Sequence, residues 1–432
     1  MSLLRSIAPA FVPLRGVHRA CPSQQVIVSA AFSHPVGCHS GFVWHLVAAG
    51  EAVARRLRLK LMCWEVPVAS RTKLSFVLVA ASGLSVAANA QPSFTGLGDL
   101  PGGFVSSQAH GVSADGRVVA GSANGTIGST VAFTWTRDAG MVALPPLGGP
   151  AGIYRGQGIS GDGRTVVGLA ESDDGYRAAM WQDGAGPTHL PDATDLSTTW
   201  SVSQDGGVIA GRQGSNMAAI WTSDGIRELG RLPGHTSSFA RAVSADGQVV
   251  VGESSGPGSG GVFKWTETSG MQEIGSPSDI YRLSSALALS ADGSIVGGRG
   301  FGPAGSGPAI WTEADGVTML GPAPAGTSGG YVFEMSADAS VLGINAFRSG
   351  DWIAVLWTPE RGQELLINVL TQRCGLDLTG WHLSEIGGIS ADGTVIVGTG
   401  THNGFAAAFV AVIPVPSVIA PFAVFACNRR RR

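Results

Sequence analysis

A tetrapeptide of the pattern Ser-x-Asp-Gly recurs along the chain and is the first candidate for chemistry, because it sets a hydroxyl group beside a carboxylate. Such a pair could bind calcium or belong to an Asp box. Calcium loops, however, need several alternating carboxylates, and this tetrapeptide has one. An Asp box also carries a further residue between Asp and Gly, which is missing here. Since Ser and Asp side chains hydrogen-bond the backbone of tight turns, we interpret the tetrapeptide as structural.

The predicted turn residues come from six complete copies, which begin 41 to 54 residues apart when a seventh, variant copy is included. They are Ser113, Asp115, Gly116, Ser160, Asp162, Gly163, Ser203, Asp205, Gly206, Ser244, Asp246, Gly247, Ser290, Asp292, Gly293, Ser390, Asp392 and Gly393. The variant copy, which begins at Ser336, has Ala339 in place of glycine. Alanine adopts a positive φ only at a cost, so we expect this turn to be distorted.

Residues 91–413 contain no His-x-x-x-His, Cys-x-x-Cys or P-loop sequence. The glycine-rich segment 256–261 lacks a strand-to-helix context, so we predict a mobile loop there. Five histidines are not at ligand spacing and are expected at surface or loop positions: His110, His189, His235, His382 and His402. Four acids could be general acids or calcium ligands, although exposed loop acids are commoner: Asp173, Asp174, Asp192 and Asp195. We therefore predict no catalytic, cofactor-binding or metal-binding residue.

The tetrapeptide lies within a repeat of about 46 residues that reads as four short strands. Asp-Gly between two apolar runs predicts a β-hairpin with a type I′ turn. An aromatic residue follows each serine by 18 to 22 residues, in a third strand that precedes a fourth. We predict that these residues pack between neighbouring repeats as core: Trp135, Trp181, Trp221, Trp265, Trp311, Trp357 and Phe409.

Seven such repeats predict an all-β, seven-bladed β-propeller, with a β-solenoid as the alternative. The last repeat stops after its third strand, whereas residues 94–103, before the first repeat, resemble an isolated fourth strand. Pairing this strand into the last blade would close the ring. The linker after the sixth repeat has apolar residues at helical spacing, and we predict a short helix over residues 363–372 that projects from the ring.

Charge and cysteine content narrow the classes of function. Residues 91–428 contain 15 basic and 29 acidic residues, a net charge of −14, without a basic stripe. A body this acidic repels nucleic-acid phosphates, so DNA or RNA binding is not expected. A single cysteine, Cys374, lies in residues 91–413, so a disulfide framework is excluded and stability must come from packing.

A secretory signal peptide is predicted at residues 62–90. A basic start at Arg71 and Lys73, an apolar run over residues 74–87 and an Ala-x-Ala end define it. Cleavage after Ala90, with Ala88 at the other small position, would leave Gln91 as the mature N-terminus. We interpret residues 1–61 as a disordered extension or a start-site artefact, and residues 91–413 as the propeller.

The repeat resembles the HAF-repeat family of extracellular repeat proteins over residues 94–413, through the segments LGDLPGG (97–103), GVSADGRVVAG (111–121) and AFTWT (132–136). The resemblance implies export and a repeat fold, and brings no catalytic residues. Residues 414–432 are similar to PEP-CTERM sorting tails: Pro414 and Pro416, an apolar run and Arg429, Arg430, Arg431 and Arg432. This similarity implies transient membrane association and processing, and a solvated basic end is the alternative.

Two hypotheses of function follow for a protein that we expect to be secreted or held at the cell surface, and monomeric. The first is a non-catalytic propeller without a cofactor that binds an extracellular glycan or protein. The second is an extracellular polysaccharide hydrolase or lyase with an acidic site in the central channel.

Overall fold

The computed structural model describes residues 64–66, 74–76, 91–125, 129–146, 152–172, 175–276, 280–414 and 426–427. The chain divides into two units, one of residues 87–418 and one of residues 1–86 with 419–432. The second unit contributes three short strands in one antiparallel sheet: β1 (Trp64–Val66), β2 (Leu74–Phe76) and β31 (Ala426–Cys427). None of the described helices is long and apolar enough to cross a membrane.

Residues 87–418 form seven antiparallel sheets of four strands each. Blade 1 consists of β4 (Ser107–Val112), β5 (Val119–Asn124), β6 (Thr130–Thr136) and β7 (Gly140–Ala143). Blade 2 consists of β8 (Tyr154–Ile159), β9 (Thr165–Ser172), β10 (Gly175–Gln182) and β11 (Thr188–His189). Blade 3 consists of β12 (Thr198–Val202), β13 (Ile209–Gln213), β14 (Met217–Thr222) and β15 (Gly225–Gly230).

The next three blades repeat this order. Blade 4 consists of β16 (Ser237–Val243), β17 (Val249–Gly256), β18 (Ser259–Thr266) and β19 (Gly270–Ile274). Blade 5 consists of β20 (Arg282–Leu289), β21 (Ile295–Gly302), β22 (Gly305–Thr312) and β23 (Gly316–Met319). Blade 6 consists of β24 (Ser328–Met335), β25 (Leu342–Arg348), β26 (Asp351–Thr358) and β27 (Gly362–Leu365).

Blade 7 combines the two ends of the propeller sequence, as predicted. It contains β28 (Trp381–Ile389), β29 (Val395–His402), β30 (Phe405–Val412) and, as its outer strand, β3 (Ser93–Gly96). β3 pairs antiparallel with β30, and the Phe94 ring stacks on that of Phe409 with 5.5 Å between centroids. The first strands of neighbouring blades contact each other all the way round, including β28 with β4. The seven-bladed propeller is therefore confirmed, and the open β-solenoid is excluded.

The Ser-x-Asp-Gly segments form seven nearly identical turns between the first and second strands. In the first, the buried Ser113 hydroxyl donates to Asp115 Oδ1 over 2.7 Å and accepts the Val118 N–H. The same two bonds recur in every other copy. The expected type I′ geometry is wrong, because Gly116 has a positive φ of 73° and Asp115 does not. One glycine suffices because the Ser and Asp side chains hold the rest of the turn.

The variant turn at Ser336 is not distorted, contrary to expectation. Ala339 adopts a φ of 55°, and its N–H donates to the Ser336 carbonyl over 2.9 Å, as glycine does in the other copies. The Ser336 hydroxyl bonds to Asp338 and the Val341 N–H are also kept. Because these bonds fix the backbone, the alanine takes the left-handed conformation and the turn keeps its shape.

Backbone hydrogen bonds link the seven turns into a closed ring. The N–H of Ala114 donates to the Gly161 carbonyl, and the N–H of Asp162 then donates to the Gln204 carbonyl, each over 2.9 Å. The series continues through Ala245, Ala291 and Ala337 to Ala391, whose N–H returns to Ala114. We call the end of the propeller that carries these turns the turn face. The opposite end, which carries the links between second and third strands, is the hairpin face.

One apolar cluster occupies each of the seven interfaces between blades. Each contains the aromatic residue of one blade together with residues of the blade before it. Trp181, for example, packs with Ala120 and Leu144 of blade 1, and its indole N–H donates to the Pro145 carbonyl over 3.0 Å. Trp181, Trp221 and Phe409 are fully buried, Trp135 and Trp265 are buried, and Trp311 and Trp357 are half-buried.

The helix predicted over residues 363–372 is shorter than expected and does not project. Residues 363–365 belong to β27, and only α1 (Leu366–Asn368) and a π-helical turn (Val369–Arg373) follow. Leu366, Val369 and Leu370 are fully buried in the cluster between blades 6 and 7. The apolar spacing thus reflects packing against the ring.

Candidate functional site

Each inner strand carries a β-bulge at the same place, three residues before the serine of its turn. A bulge inserts one unpaired residue into a strand and redirects its side chain. The seven bulged residues are His110, Gln157, Trp200, Arg241, Leu287, Phe333 and Gly387. All seven line one cavity, so the bulges turn one position of every blade toward the central channel.

The channel has two parts. The wider part, of about 640 Å³, includes Ser106, Asn124 and Thr130, which lie at the strand ends of the hairpin face. A narrower part, of about 110 Å³, lies toward the turns and includes Gly111 and Gly388. Ligand cavities commonly measure roughly 300–1,000 Å³. The wide part therefore has the size of a ligand site that opens at the hairpin face.

Glu334 differs from the residues at the equivalent position of the other six blades. It follows the bulge of blade 6, at a position where the other six blades have Gly, Ala or Ser. Glu334 lines both parts of the channel, and burial alone raises the pKa of its carboxyl group to about 8. Burial also raises the pKa of Glu385, which lines the wide part. A carboxyl group with a pKa near 8 keeps its proton at neutral pH and can donate a hydrogen bond.

His110 and Arg155 face the same channel from blades 1 and 2. Burial, and secondly the charge of Arg155, lower the pKa of His110 to about 4, so its imidazole is neutral at pH 7. Arg155 is exposed within the wide part of the channel. The wall therefore presents a cation and a neutral imidazole in addition to the carboxyl groups.

An aromatic and cationic group borders the channel at blades 3 and 4. The Arg241 guanidinium lies 4.5 Å from the centroid of the Trp200 ring, and its Nη2 is 3.2 Å from Glu253 Oε2. On the opposite wall, the Phe333 side chain is 43% exposed. Together with the Gln108 and Gln157 amides, these groups offer flat apolar faces beside hydrogen-bonding groups.

The residues predicted as turns and core lie outside this channel site. The seven turns lie at the turn face, and the tryptophans lie between blades. Each turn aspartate accepts from its serine and from the backbone N–H two residues later, which accounts for the carboxylate without a metal ion. Within the described ranges there is no cluster of three or more His, Cys, Asp or Glu residues that could hold a metal.

Two of the five histidines are not at the expected surface or loop positions. His110 lies in inner strand β4, and His189 lies half-buried in β11. His235 is in the link after β15, His382 is exposed on β28, and the His402 ring stacks on Trp381 with 4.7 Å between centroids.

The acidic and glycine-rich candidates occupy ordinary positions. Asp192 is exposed in a turn, and Asp195 pairs with Arg177 over 2.8 Å. Asp173 and Asp174 lie outside the described residues. The loop predicted over residues 256–261 is wrong: Gly256 ends β17, residues 259–261 belong to β18, and only Pro257 and Gly258 link the two paired strands.

The predicted processing sites fall almost entirely outside the described part of the chain. Gln91 and Pro414 are described, and they flank the first and last propeller strands, β3 and β30. Ala88, Ala90, Pro416 and Arg429–Arg432 are not, nor are residues 1–61. The signal peptide and the sorting tail stay predictions.

The channel residues belong to no catalytic motif and are not loop acids, so the sequence patterns considered above do not include them. A signal for them exists in the sequence. Aligning the repeats on the serine of each turn brings the seven bulged residues into one column three positions earlier. The next column is small in every repeat except at Glu334. A lone carboxyl group in a column of small residues marks a position that repeat packing does not explain.

The sequence matches no protein-family profile and no curated protein. Several solved propeller structures are similar. They include an oligogalacturonate lyase from Vibrio parahaemolyticus (11% identity, 82% of this chain and 98% of that one, TM-score 0.48). The β-propeller domain of the Trilobed protease from Pyrococcus furiosus has 9% identity over 71% of this chain and 94% of its own, with a TM-score of 0.47. TolB from Acinetobacter baumannii has 14% identity over 69% and 81%, with a TM-score of 0.38. At these identities the similarity concerns the propeller fold alone.

Proposed function

We propose that this protein is an exported, non-catalytic binding protein whose ligand enters the central channel from the hairpin face. The observation that carries the proposal is the set of seven aligned bulges. They direct a different side chain from each blade, apart from Gly387, into one cavity of about 640 Å³. Packing alone would favour one repeated residue at this position. The diversity of the seven instead supports recognition of an asymmetric ligand.

The chemistry of the wall favours an extracellular glycan over a protein segment. Sugars present apolar ring faces that stack on aromatic side chains and hydroxyl groups that both donate and accept hydrogen bonds. Trp200 and Phe333 supply such faces, and Gln108, Gln157 and protonated Glu334 supply the partners. Ligand sites generally combine an apolar lining with a few placed polar groups in this way.

A glycan array combined with a hydrolysis screen on the same glycans tests the proposal. Wild-type protein should bind a subset of glycans without releasing shorter products. Phe333→Ala should weaken that binding about tenfold, the effect of losing a contact of about 1.4 kcal/mol. Phe405→Ala is the matched control, because Phe405 is 58% exposed on β30 and does not line the channel. Binding of proteins alone, or equal loss in both variants, would contradict a channel site for glycans.

One observation favours the second hypothesis, a polysaccharide hydrolase or lyase. A carboxyl group that stays protonated at neutral pH can act as a general acid, and Glu334 has this property. In that case the hydrolysis screen would show released oligosaccharide, and Glu334→Gln would abolish it while the glycan stays bound. Turnover that survives Glu334→Gln would remove this residue as the acid.

Export and processing are tested separately. The mature protein is proposed to begin at Gln91, which N-terminal sequencing of secreted material would establish. Deleting residues 418–432 should release the protein or change its processing. Peptides from before residue 62 in secreted material would contradict the interpretation of residues 1–61, and unaltered fractionation would count against the tail. The mature protein is also expected to sediment as a monomer.

A further inference from the structure

A second cavity, of about 270 Å³, opens at the hairpin face beside the channel. Its wall comes from the ends of strands in blades 4, 5 and 6, and includes Glu253, Ser284, Arg299 and Tyr331. We call it the side groove. Glu253 lies on the side groove, and its ion-pair partner Arg241 lies on the channel. One ion pair therefore separates the two cavities, so a ligand longer than one sugar unit could contact both.

Arg299 is held in a fixed orientation on the wall of the side groove. Its Nη1 donates to the Tyr331 hydroxyl over 2.9 Å, and its Nη2 donates to Ser306 Oγ over 2.7 Å. The guanidinium carbon lies 5.1 Å from the centroid of the Tyr331 ring and 5.6 Å from that of Phe301. Its Nε is buried and has no hydrogen-bond partner within the described part of the chain. Two uncharged hydroxyl groups and two aromatic rings thus hold the positively charged Arg299 guanidinium in place.

A second cation reinforces the first. The Arg282 guanidinium lies 5.1 Å from the centroid of the same Phe301 ring, and Arg282 is exposed. Neither Arg282 nor Arg299 forms an ion pair with a carboxylate among the described residues. Two like charges that share one ring repel each other unless an anion lies between or beside them.

We infer that the side groove binds an anionic group, a carboxylate or a sulfate, carried by the saccharide that occupies the channel. This inference rests on the proposed function and specifies its ligand class as acidic glycans. Arg299 still has one free N–H on each of Nη1 and Nη2, the arrangement that pairs with two oxygens of one anion. The groove volume accommodates one charged unit and not a whole chain.

An array of matched acidic and neutral oligosaccharides tests this inference with the full-length mature protein. The acidic members of the array are alginate, hyaluronate and dermatan sulfate oligosaccharides, and the neutral members are dextran, mannan and xylan oligosaccharides. Wild-type protein should bind acidic members preferentially, with carboxylated and sulfated members distinguishing the two anions. Arg299→Gln should weaken binding of the acidic members by about tenfold to a hundredfold, the usual effect of losing a charge-assisted hydrogen bond.

Two further variants separate recognition from folding. Tyr331→Phe removes the hydroxyl that orients Arg299 but keeps the ring, and should weaken acidic binding less than Arg299→Gln. Arg137→Gln, at an exposed position between β6 and β7 on the turn face, should change nothing. All three should unfold at temperatures close to wild type. Binding of neutral glycans alone, or unchanged acidic binding by Arg299→Gln, would overturn the inference but leave the proposed function intact. Failure to bind any saccharide would overturn the proposed function.

Discussion

The backbone N–H of Ala391 in the last blade donates to the carbonyl oxygen of Ala114 in the first over 3.0 Å. This bond is the last of the series that joins the six Ser-x-Asp-Gly turns and the variant turn at Ser336. Each turn therefore has two tasks: it reverses the chain within its blade, and it binds the turn of the next blade. A residue that looks like a local turn former consequently contributes to the interface between blades.

The turn glycines are expected to be required for packing as well as for backbone conformation. A Cβ atom added to Gly116 would lie 2.5 Å from a methyl carbon of Val395 in the last blade. Gly116→Ala should therefore lower the free energy of unfolding by about 2–4 kcal/mol, from left-handed strain plus overpacking. Gly140 has a similar φ of 69° and open space around it, so Gly140→Ala should cost about 1–2 kcal/mol. Urea unfolding measures both, and equal losses would show that packing against Val395 is unimportant.

The aromatic residues between blades should differ in their contribution according to burial. Trp181 is 1% exposed, whereas Trp311 occupies the equivalent place half-buried. Trp181→Ala should lower the free energy of unfolding by about 3–5 kcal/mol, through lost burial and a cavity. Trp311→Ala should cost clearly less in the same urea titration. A larger loss for Trp311 would contradict the interpretation of the two sites as equivalent in all but exposure.

Each turn serine should contribute more to the free energy of unfolding at neutral pH than at acidic pH. The Ser290 hydroxyl and then the Ser294 N–H lower the pKa of Asp292 to about 2 from its usual 3.8. Such a carboxylate stabilises the folded state above pH 4, and this contribution is lost as the pH falls through 2. Ser290→Ala also leaves the Ile295 N–H without its acceptor, so it should cost about 1–3 kcal/mol at pH 7.

The same comparison contains its own control. Ser294 is exposed, and its hydroxyl donates to the same carboxylate. Ser294→Ala should cost well under 1 kcal/mol, within the usual range for surface positions. The unfolding temperatures of wild type and Ser290→Ala should come closer together as the pH is lowered from 4 to 2. A difference that stays constant over this range would show that Asp292 does not take part.

Glu334 should make the folded protein less stable as the pH rises. The unfolded chain releases this proton near pH 4.5, but the folded protein keeps it until about pH 8. The free energy of unfolding therefore falls between these values and levels off above them. Glu334→Gln should remove this fall, so that its unfolding temperature exceeds that of wild type more at pH 8 than at pH 5. His110→Gln should show the opposite trend, because the lowered pKa of His110, about 4 instead of 6.5, reduces wild-type stability below pH 6.5 and the variant therefore gains more at pH 5 than at pH 8.

The repeat allowed most of the fold to be predicted, since spacing, Asp-Gly pairs and aromatic residues indicate the same four strands seven times. The closing strand was also predictable, because the last repeat stops after its third strand and residues 94–103 resemble an isolated fourth strand. The helix after blade 6 was not, because apolar spacing cannot distinguish a projecting helix from a turn such as Leu366–Asn368 that is packed into the ring. The channel was missed for a different reason. Its residues are neighbours only through ring closure, and only an alignment of the repeats relates the position of His110 to that of Glu334.

The pairing of β3 with β30 also determines when folding can be completed. Phe94 of β3 pairs with Ala411 of β30, 317 residues further along the chain. During synthesis or passage through a narrow pore, β3 stays unpaired until the six complete blades and then β30 have followed it. A polypeptide that ends before β30 leaves two strand edges unpaired, open to proteases and to other chains. Because the first strand pairs with the last, the ring can close only when the whole propeller sequence is present.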